Sequence, residues 1–352
     1  MSKFPLFQIL EGSSPSTFAQ QVQYKSNAVN KQDENLKLPL LAVDGGGTKT
    51  LAAITAQKGS ILSTGQSGAS NYQVVGFEHA VSSLTDAINN AISALEDIKE
   101  NTGKQVSFQR AVFALAGIDT AKDLIKARKI VNETLEMTGI DVQETIVEND
   151  AQSALLGATN HQPGILLISG TGSIAFAFDG KETYERAGGF GHKVGDEGSG
   201  YWIGIKALKS VLKMHDARGP ATILSEKILS YLQLKDYEEL HNWVYSPDFT
   251  VDKVASLAKF VDEGANNEDE VSRRILSEAA DELFRLVFSV AKKTRLTGVP
   301  FTLVLLGGVL ENIDYIKNRL INQVKEVYPE VKVFMNKEAP IDLIIRRGLY
   351  EL

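Results

Sequence analysis

The first informative absence in this chain of 352 residues is cysteine, which does not occur at all. Without thiols the protein can hold no disulfide, no thiolate-ligated zinc and no cysteine-bound iron–sulfur cluster, and it has no cysteine nucleophile. Any metal ion must therefore be held by oxygen atoms or by histidine.

Two further absences narrow the class of partner. The net charge is −7, from 37 basic and 44 acidic residues, and no basic stripe stands out, so nucleic acid is not expected as a partner. No apolar run approaches the roughly 20 residues that a transmembrane helix needs, and the first forty residues contain no signal-peptide core. The sequence therefore predicts a cytoplasmic protein that acts on small molecules and has no membrane partner.

The length allows two domains, each with its own hydrophobic core. Residues 1–37 are rich in Ser, Gln and Asn and lack periodicity, so we expect a loosely ordered N-terminal extension. A strand-turn-strand unit follows at 38–62, and a second unit of the same kind begins at 164. We therefore expect two similar lobes flanking a cleft, an N-terminal lobe at 38–160 and a C-terminal lobe at 161–352, with the last helix packing back on the N-terminal lobe.

Helical and strand patterns alternate through both halves of the chain. Apolar spacing predicts a helix over residues 77–101, followed by Gly103 as a stop signal. The same spacing predicts further helices at 121–137, 198–214 and 313–327, and from 341 onward. Short apolar runs predict strands at 111–116, 145–148, 301–306 and 331–335. This alternation is typical of an α/β fold.

A glycine-rich turn joins two apolar runs near the start of the first lobe. It consists of Asp44-Gly45-Gly46-Gly47-Thr48-Lys49-Thr50. Glycines let backbone N–H groups approach an anion, the threonine adds a hydroxyl donor, and the aspartate suits Mg²⁺. The spacing is not that of a Walker loop, and no helix follows as a dinucleotide fingerprint requires. The turn therefore indicates either a phosphate-binding hairpin or an ordinary glycine hairpin that binds nothing.

The second half carries a similar turn and a denser glycine cluster. The turn is Ser169-Gly170-Thr171-Gly172-Ser173, and six glycines fall within residues 188–200. Within that cluster the carboxylates of Asp196 and Glu197 can accept hydrogen bonds from hydroxyls, as in polyol recognition. A flexible loop with solvated charges is the alternative, and it is disfavoured because an apolar helix begins immediately after the cluster.

Two aspartates close predicted strands and open predicted helices. Asp119 lies where open α/β sheets place their ligand crevice and suits a general base, but it could equally cap the next helix, as could Thr120. Asp150 either caps its helix or holds Mg²⁺ through water. Asn71 could bond a sugar hydroxyl or stabilise a turn, and His192 is a weak candidate for a substrate contact.

These motifs, taken in chain order, resemble a single family. They are Asp44 to Thr48, Asp119, Asn149-Asp150, Ser169 to Ser173, Gly188 to Ser199 and Leu306-Gly307-Gly308. Over residues 38–352 the chain is similar to the N-acetylglucosamine kinase branch of the BadF/BadG/BcrA/BcrD ATPases, within the actin-like ATPase superfamily. The resemblance implies a two-lobed α/β fold of the actin-like (ribonuclease H-like) type, with ATP, Mg²⁺ and an amino sugar in the central cleft.

The resemblance also implies a role for each motif. Asp119 would be the catalytic base that takes the proton from the sugar O6 as this atom attacks the γ-phosphorus, and Asp44 and Asp150 would lie beside the metal. The ATP phosphates would be bound by Gly45, Gly46, Gly47, Thr48, Lys49, Gly170, Thr171 and Gly172. Adenosine would face Gly307 and Gly308. The sugar would be bound by Asn71, Ser173, Gly189, Asp196 and Glu197.

The chain departs from its relatives at two places. Many relatives carry Trp where Phe190 stands, and Tyr72-Gln73 replaces the His-Trp pair of animal N-acetylglucosamine kinases. Recognition of the acetyl group is therefore open, and the product could be the 6-phosphate of N-acetylglucosamine, glucosamine or N-acetylmuramic acid. The chain could also pair as a homodimer.

Other functions within the same family fit the sequence less well. ATPases that activate acyl-CoA dehydratases need cysteines for an iron–sulfur cluster, and a related group of sugar kinases uses a cysteine-rich zinc motif. Both are excluded because the chain has no cysteine. A non-catalytic sugar or nucleotide sensor would be favoured only if Asp119 or a phosphate turn were missing, and an ATPase with another acceptor is the remaining alternative.

Overall fold

The computed structural model describes residues 35–95 and 105–352. Most of the expected extension at 1–37 lies outside these residues, and so does the end of the helix predicted at 77–101. Within them the helix covers Phe77–Ser93 and ends earlier than predicted. The chain turns at Ala94, whose N–H donates to the carbonyl groups of Asn90 and Ile92.

The first sheet has five strands in the order β3-β2-β1-β4-β5. Strands β1 to β3 form an antiparallel meander, whereas β4 and β5 run parallel to β1. The strands are β1 Asn35–Gly45, β2 Thr50–Thr55, β3 Ile61–Ser67, β4 Gln105–Leu115 and β5 Asp141–Asn149. The two parallel connections bring the ends of β1, β4 and β5 to one edge, where ligand crevices form in open α/β sheets.

The second sheet repeats this topology. Its order is β10-β9-β6-β7-β8, with β6 to β8 antiparallel and β9 and β10 parallel to β6. The strands are β6 Gly164–Ser169, β7 Ser173–Phe178, β8 Tyr184–Gly188, β9 Thr302–Leu306 and β10 Lys332–Met335. The expected pair of strand-turn-strand units therefore forms the first two strands of each sheet.

The helices of the described residues lie close to their predicted positions. Thr120, Asn149 and Ser199 cap three of them with side-chain oxygens. The helices are α1 Tyr72–Val75, α2 Phe77–Ser93, α3 Ala121–Thr138, α4 Asp150–Thr159, α5 Gly200–His215, α6 Leu224–Leu232, α7 Tyr237–Val244, α8 Val251–Ala255, α9 Ala258–Asn266, α10 Glu270–Lys293, α11 Gly308–Asn312, α12 Asp314–Val327 and α13 Pro340–Leu349. Among them, none combines the length and apolar composition that crossing a bilayer requires.

Helices cover both faces of each sheet. Helices α2 and α3 bury one face of the first sheet, and α5, α9, α10 and α12 bury the outer face of the second. Helices α4 and α13 form a layer between the sheets: α4 packs on β6 and β9, and α13 packs on β1 and β4. The lobe boundary near residue 160 stays a prediction. Helix α13 lies at the end of the sequence and contacts the first sheet.

The two helices of this middle layer approach closely at Gly157. A Cβ atom at this position would lie 2.0 Å from the carbonyl oxygen of Leu343, a separation that no side chain allows. Only glycine therefore lets the backbones of α4 and α13 touch here.

A buried ion pair joins α13 to the end of β5. The Arg347 Nε atom lies 3.0 Å from the Glu148 Oε1 atom, and the two side chains are only 5% and 4% exposed. The hydroxyl group of Ser153 donates to the same carboxylate at 2.6 Å. Breaking such a pair leaves an uncompensated charge in a medium of low polarity.

We expect Arg347→Met to lower the free energy of unfolding by about 3–5 kcal/mol, because Glu148 would keep its buried charge without a partner. Urea denaturation measures this change. The neighbouring Arg346→Met is the matched control: Arg346 pairs with Glu338 at the surface, where both side chains are about 40% exposed, and its loss should cost less than about 1 kcal/mol. Equal effects of the two variants would contradict this prediction.

His161 lies at the same layer, directly after α4. Its ring stacks on Tyr350 with centroids 3.9 Å apart, and its buried Nε2 atom has no hydrogen-bond partner among the residues that the structure describes. Burial, and then the positive charge of Arg347, lowers the pKa of His161 to about 4 from 6.5. The folded protein therefore holds this ring neutral where the unfolded chain would protonate it.

The low pKa of His161 predicts a stability that depends on pH. Between about pH 6.5 and about pH 4 the unfolded chain binds the extra proton, so this contribution is complete above the window and is lost as the pH falls through it. We expect His161→Phe, which keeps the stacking but cannot be protonated, to show a smaller loss of stability over this range. Denaturation at several pH values measures the free energy of unfolding, and a variant of the exposed His79, His79→Gln, is the control. If the free energy of unfolding of His161→Phe depends on pH as steeply as that of the wild type, the prediction is wrong.

Candidate active site

The turn between β1 and β2 presents its tip to solvent. The N–H of Gly46 donates to the carbonyl of Lys49 at 3.0 Å, and Gly47, Thr48 and Lys49 are exposed. At Gly45 a Cβ atom would lie 2.5 Å from Leu115 and 2.6 Å from the hydroxyl of Ser70, so glycine is required there. The sequence thus places exposed backbone groups and one hydroxyl at the edge where the parallel strands end.

The turn between β6 and β7 has the corresponding position in the second sheet. The N–H of Gly170 donates to the carbonyl of Gly172 at 2.9 Å, and the Thr171 hydroxyl is 3.4 Å from a carboxylate oxygen of Asp252. Gly307 packs directly on this turn, since a Cβ atom there would lie 2.4 Å from the carbonyl oxygen of Ser169. Gly307 and Gly308, the predicted adenosine contacts, therefore adjoin the second turn.

The glycine cluster is fastened to the second turn by hydrogen bonds. The hydroxyl of Ser169 donates to the carbonyl of Gly198 at 3.0 Å, and the hydroxyl of Ser173 donates to the carbonyl of Glu197 at 2.7 Å. The N–H of Gly189 donates to the carbonyl of Ser173 at 3.0 Å. The cluster is thus an ordered loop, and the hydroxyl that we predicted as a sugar contact at Ser173 is engaged with the loop itself.

Asp196 is the buried carboxylate of this loop. Its side chain lies against Gly172, where a Cβ atom would come within 2.8 Å of its Oδ2 atom. Burial raises its pKa, and hydrogen bonds from the backbone of Ser173 and Gly191 partly offset the effect. A carboxylate held in this way beside a turn can accept hydrogen bonds from a polar ligand.

Asn71 connects the first turn to the end of β4. Its backbone N–H and that of Ser70 donate to the carbonyl of Gly46 at 3.1 and 3.0 Å. The side-chain oxygen of Asn71 caps the short helix α1 by accepting from Gln73, and it lies where a Cβ atom on Gly117 would be 2.5 Å away. The amide oxygen therefore stabilises the turn, which is one of the two roles that the sequence allowed for Asn71.

Asp119 is not the cap of the helix that follows it. Thr120 caps α3, with its hydroxyl accepting from the N–H of Asp123 while the Asp123 side chain accepts from the N–H of Thr120. The Asp119 carboxylate instead forms an ion pair with Arg186 of the second sheet, with Oδ1 and Nη1 2.6 Å apart. The capping alternative is therefore excluded, and the carboxylate faces the opposite lobe.

The cap of α4 is Asn149 and not Asp150. Asn149 accepts from the N–H groups of Ala151 and Gln152, and Asp150 also accepts from Ala151 at 2.8 Å. Burial, followed by the negative charge of Asp119, raises the pKa of Asp150. Asp150 thus lies on the first turn of α4, close enough to Asp119 for their charges to interact.

Asp44 is the third carboxylate of the candidate site, after Asp119 and Asp150. Burial, followed by the charge of Asp150, raises the pKa of Asp44 to about 6, and the charge of Lys49 opposes this rise. In the described part of the chain no three His, Cys, Asp or Glu side chains come together as a set that could hold a metal by themselves. A cation here would need further oxygen ligands from phosphate or water.

Arg186 is not among the site residues that the sequence predicted. The only signal it offered was a basic residue two positions before the first glycines of the cluster. His192 makes an edge contact with the ring of Tyr201, with centroids 5.0 Å apart. This contact supports the structural role considered for His192.

Comparison with known proteins identifies relatives of this chain. Residues 41–345 match the BadF/BadG/BcrA/BcrD ATPase family. An N-acetylmuramic acid/N-acetylglucosamine kinase of Clostridium acetobutylicum is 35% identical over 298 residues, covering 85% of this chain and 94% of that protein. An N-acetyl-D-glucosamine kinase of Dictyostelium discoideum is 35% identical over 297 residues, covering 83% of this chain and 92% of that protein.

A solved structure has the same fold. It comes from Chromobacterium violaceum, is provisionally named an N-acetylglucosamine kinase, and superposes with a TM-score of 0.60 at 22% identity, covering 88% of this chain and 98% of its own. The fold, the two glycine turns and the match over most of the length agree with one another. This chain belongs to the BadF/BadG/BcrA/BcrD ATPase family.

Proposed function

We propose that this protein is an ATP-dependent kinase that transfers the γ-phosphate to O6 of an amino sugar, either N-acetylglucosamine or a close relative such as N-acetylmuramic acid or glucosamine. One observation carries the proposal: the Asp119 carboxylate is free of helix capping and faces the second sheet. A base in this position can accept a proton from a hydroxyl bound between the lobes. The names of the two relatives at 35% identity support an amino sugar as the acceptor.

The two glycine turns would bind the phosphates of ATP. Gly45 to Lys49 offers exposed backbone groups, a hydroxyl and an ammonium, and Gly170 to Gly172 offers a similar turn from the other sheet. Backbone N–H groups in such turns form concave anion sites. Gly307 and Gly308 would leave room for adenosine beside the second turn, because neither has a side chain.

The donor set at the first turn fits Mg²⁺. Asp44 and Asp150 are hard oxygen ligands, and burial, followed by the charge of a neighbouring carboxylate, raises the pKa of each. Mg²⁺ is commonly held by one or two carboxylates together with substrate phosphates and water. A bound Mg²⁺ would neutralise charge on the phosphates, and Asp44 and Asp150 would orient it directly or through water.

The residues near Asp119 would orient the acceptor. Asp119 would take the proton of O6 as this oxygen forms its bond to the γ-phosphorus and the bond from phosphorus to ADP breaks. Asp196 and Glu197, on the loop fastened to the second turn, would accept hydrogen bonds from sugar hydroxyls. Asn71, Ser173 and Gly189 would complete the sugar site through amide and backbone groups, since the Ser173 hydroxyl is bonded to the loop.

We expect the purified protein, with ATP and Mg²⁺, to phosphorylate at least one of N-acetylglucosamine, glucosamine and N-acetylmuramic acid at O6, and to stop when EDTA removes the metal. Release of ADP and NMR of the product measure this. A 6-deoxy analogue of N-acetylglucosamine is the control, because it lacks the accepting oxygen. ATP hydrolysis that no sugar alters would contradict the proposal and favour a sensor or a different acceptor.

We expect Asp119→Asn to lower kcat by roughly 10²–10⁴-fold, because an amide cannot accept the hydroxyl proton. Nucleotide binding should persist, since the phosphate turns are unchanged, and calorimetric titration with ATP measures it. Asp216→Asn, at the distant end of α5, is the control and should leave turnover unchanged. An Asp119→Asn variant with near-normal turnover would exclude Asp119 as the base.

A further inference from the structure

The ion pair between Arg186 and Asp119 is the contact that the proposed mechanism does not use. Asp119 follows β4 of the first sheet and Arg186 lies in β8 of the second, so the pair crosses from one lobe to the other. Their side chains are 41% and 25% exposed, which leaves the pair open to a substrate. An exposed pair adds little stability, so a pair that includes the proposed base requires another explanation.

Arg186 is held in place by its surroundings. It pairs with Phe176 in the ladder of β7 and β8, and its carbonyl accepts from the Nζ atom of Lys293 at 3.1 Å. Its guanidinium lies 5.6 Å from the centroid of the Phe190 ring, within the range of a cation–π contact. The backbone and the head group of Arg186 are therefore both fixed before a substrate arrives.

Asp119 is fixed less completely. Its N–H donates to the Oδ2 atom of Asp123 at 3.2 Å, which orients the backbone. Within residues 35–95 and 105–352, the donor to its carboxylate is Arg186 Nη1, which bonds Oδ1. The other oxygen, Oδ2, has no donor among these residues. A single bond to one oxygen restrains the carboxylate and leaves the second oxygen available.

We infer that Arg186 is a positioning residue that holds the Asp119 carboxylate so that Oδ2 can take the proton of the sugar hydroxyl, and that it does so only when the two lobes are together. Because the bond spans the cleft, separation of the lobes would free the carboxylate to rotate. Proton transfer would thus be coupled to closure, which restricts the reaction to the assembled site. The inference rests on the proposed kinase function.

The test compares Arg186→Met with Arg285→Met in the amino-sugar assay. Arg285 is an exposed arginine of α10 that pairs with Glu282 on the same helix. We expect Arg186→Met to lower kcat about 10–100-fold with KM for ATP changed less than about threefold, because a misplaced base slows the reaction without weakening nucleotide binding. Added guanidinium ion should restore part of the lost kcat, and Arg285→Met should behave as the wild type.

The outcomes separate this inference from the function on which it rests. A wild type that phosphorylates no amino sugar overturns the proposed function and the inference with it. An active wild type with an equally active Arg186→Met overturns the inference alone, as does faster ATP hydrolysis without sugar, which would indicate autoinhibition. A loss of kcat that guanidinium does not restore assigns Arg186 a purely structural role and also overturns it. If Arg186→Met does not fold, Arg186→Lys decides, with an intermediate kcat expected.

Discussion

The close contact of α4 with α13 is the constraint on which the site depends. Helix α4 begins at Asp150, beside the other carboxylates of the first lobe, and ends at the connection to the second sheet. Gly157 in its last turn lets it touch the backbone of α13, and Glu148, two residues before the helix, is held by Arg347 of α13. The helix therefore fixes the distance between Asp150 and β6, the strand that leads to the second turn.

Local patterns were enough to predict most elements of the fold. The two strand-turn-strand units are visible because glycine and threonine interrupt short apolar runs, and the topology of the two sheets confirms their similarity. Helix starts were predicted to within one or two residues where a capping side chain marks them, as at Thr120 and Ser199. The end of α2 was wrong because helical spacing continues past Ser93, while a turn begins at Ala94.

The contacts of the candidate site residues could not be predicted from the sequence. Asp119 and Thr120 both carry an oxygen that can cap a helix, so only the geometry of the first turn of α3 separates them. The partner of Asp119 lies 67 residues further along the chain, and no periodicity connects them. The burial of Asp196 was equally hidden, since it depends on a loop folding against Gly172.

The position of α13 has a consequence for how the chain folds during synthesis. The face of the first sheet that contains Leu40 and Val112 is covered by Ile341, Ile344 and Ile345 of this helix. Domains usually fold in order as they leave the ribosome, starting from the N-terminus. Here the first lobe keeps an uncovered apolar face until α13 has been made. Its folding therefore cannot be completed until α13, at the end of the second lobe, has been synthesised.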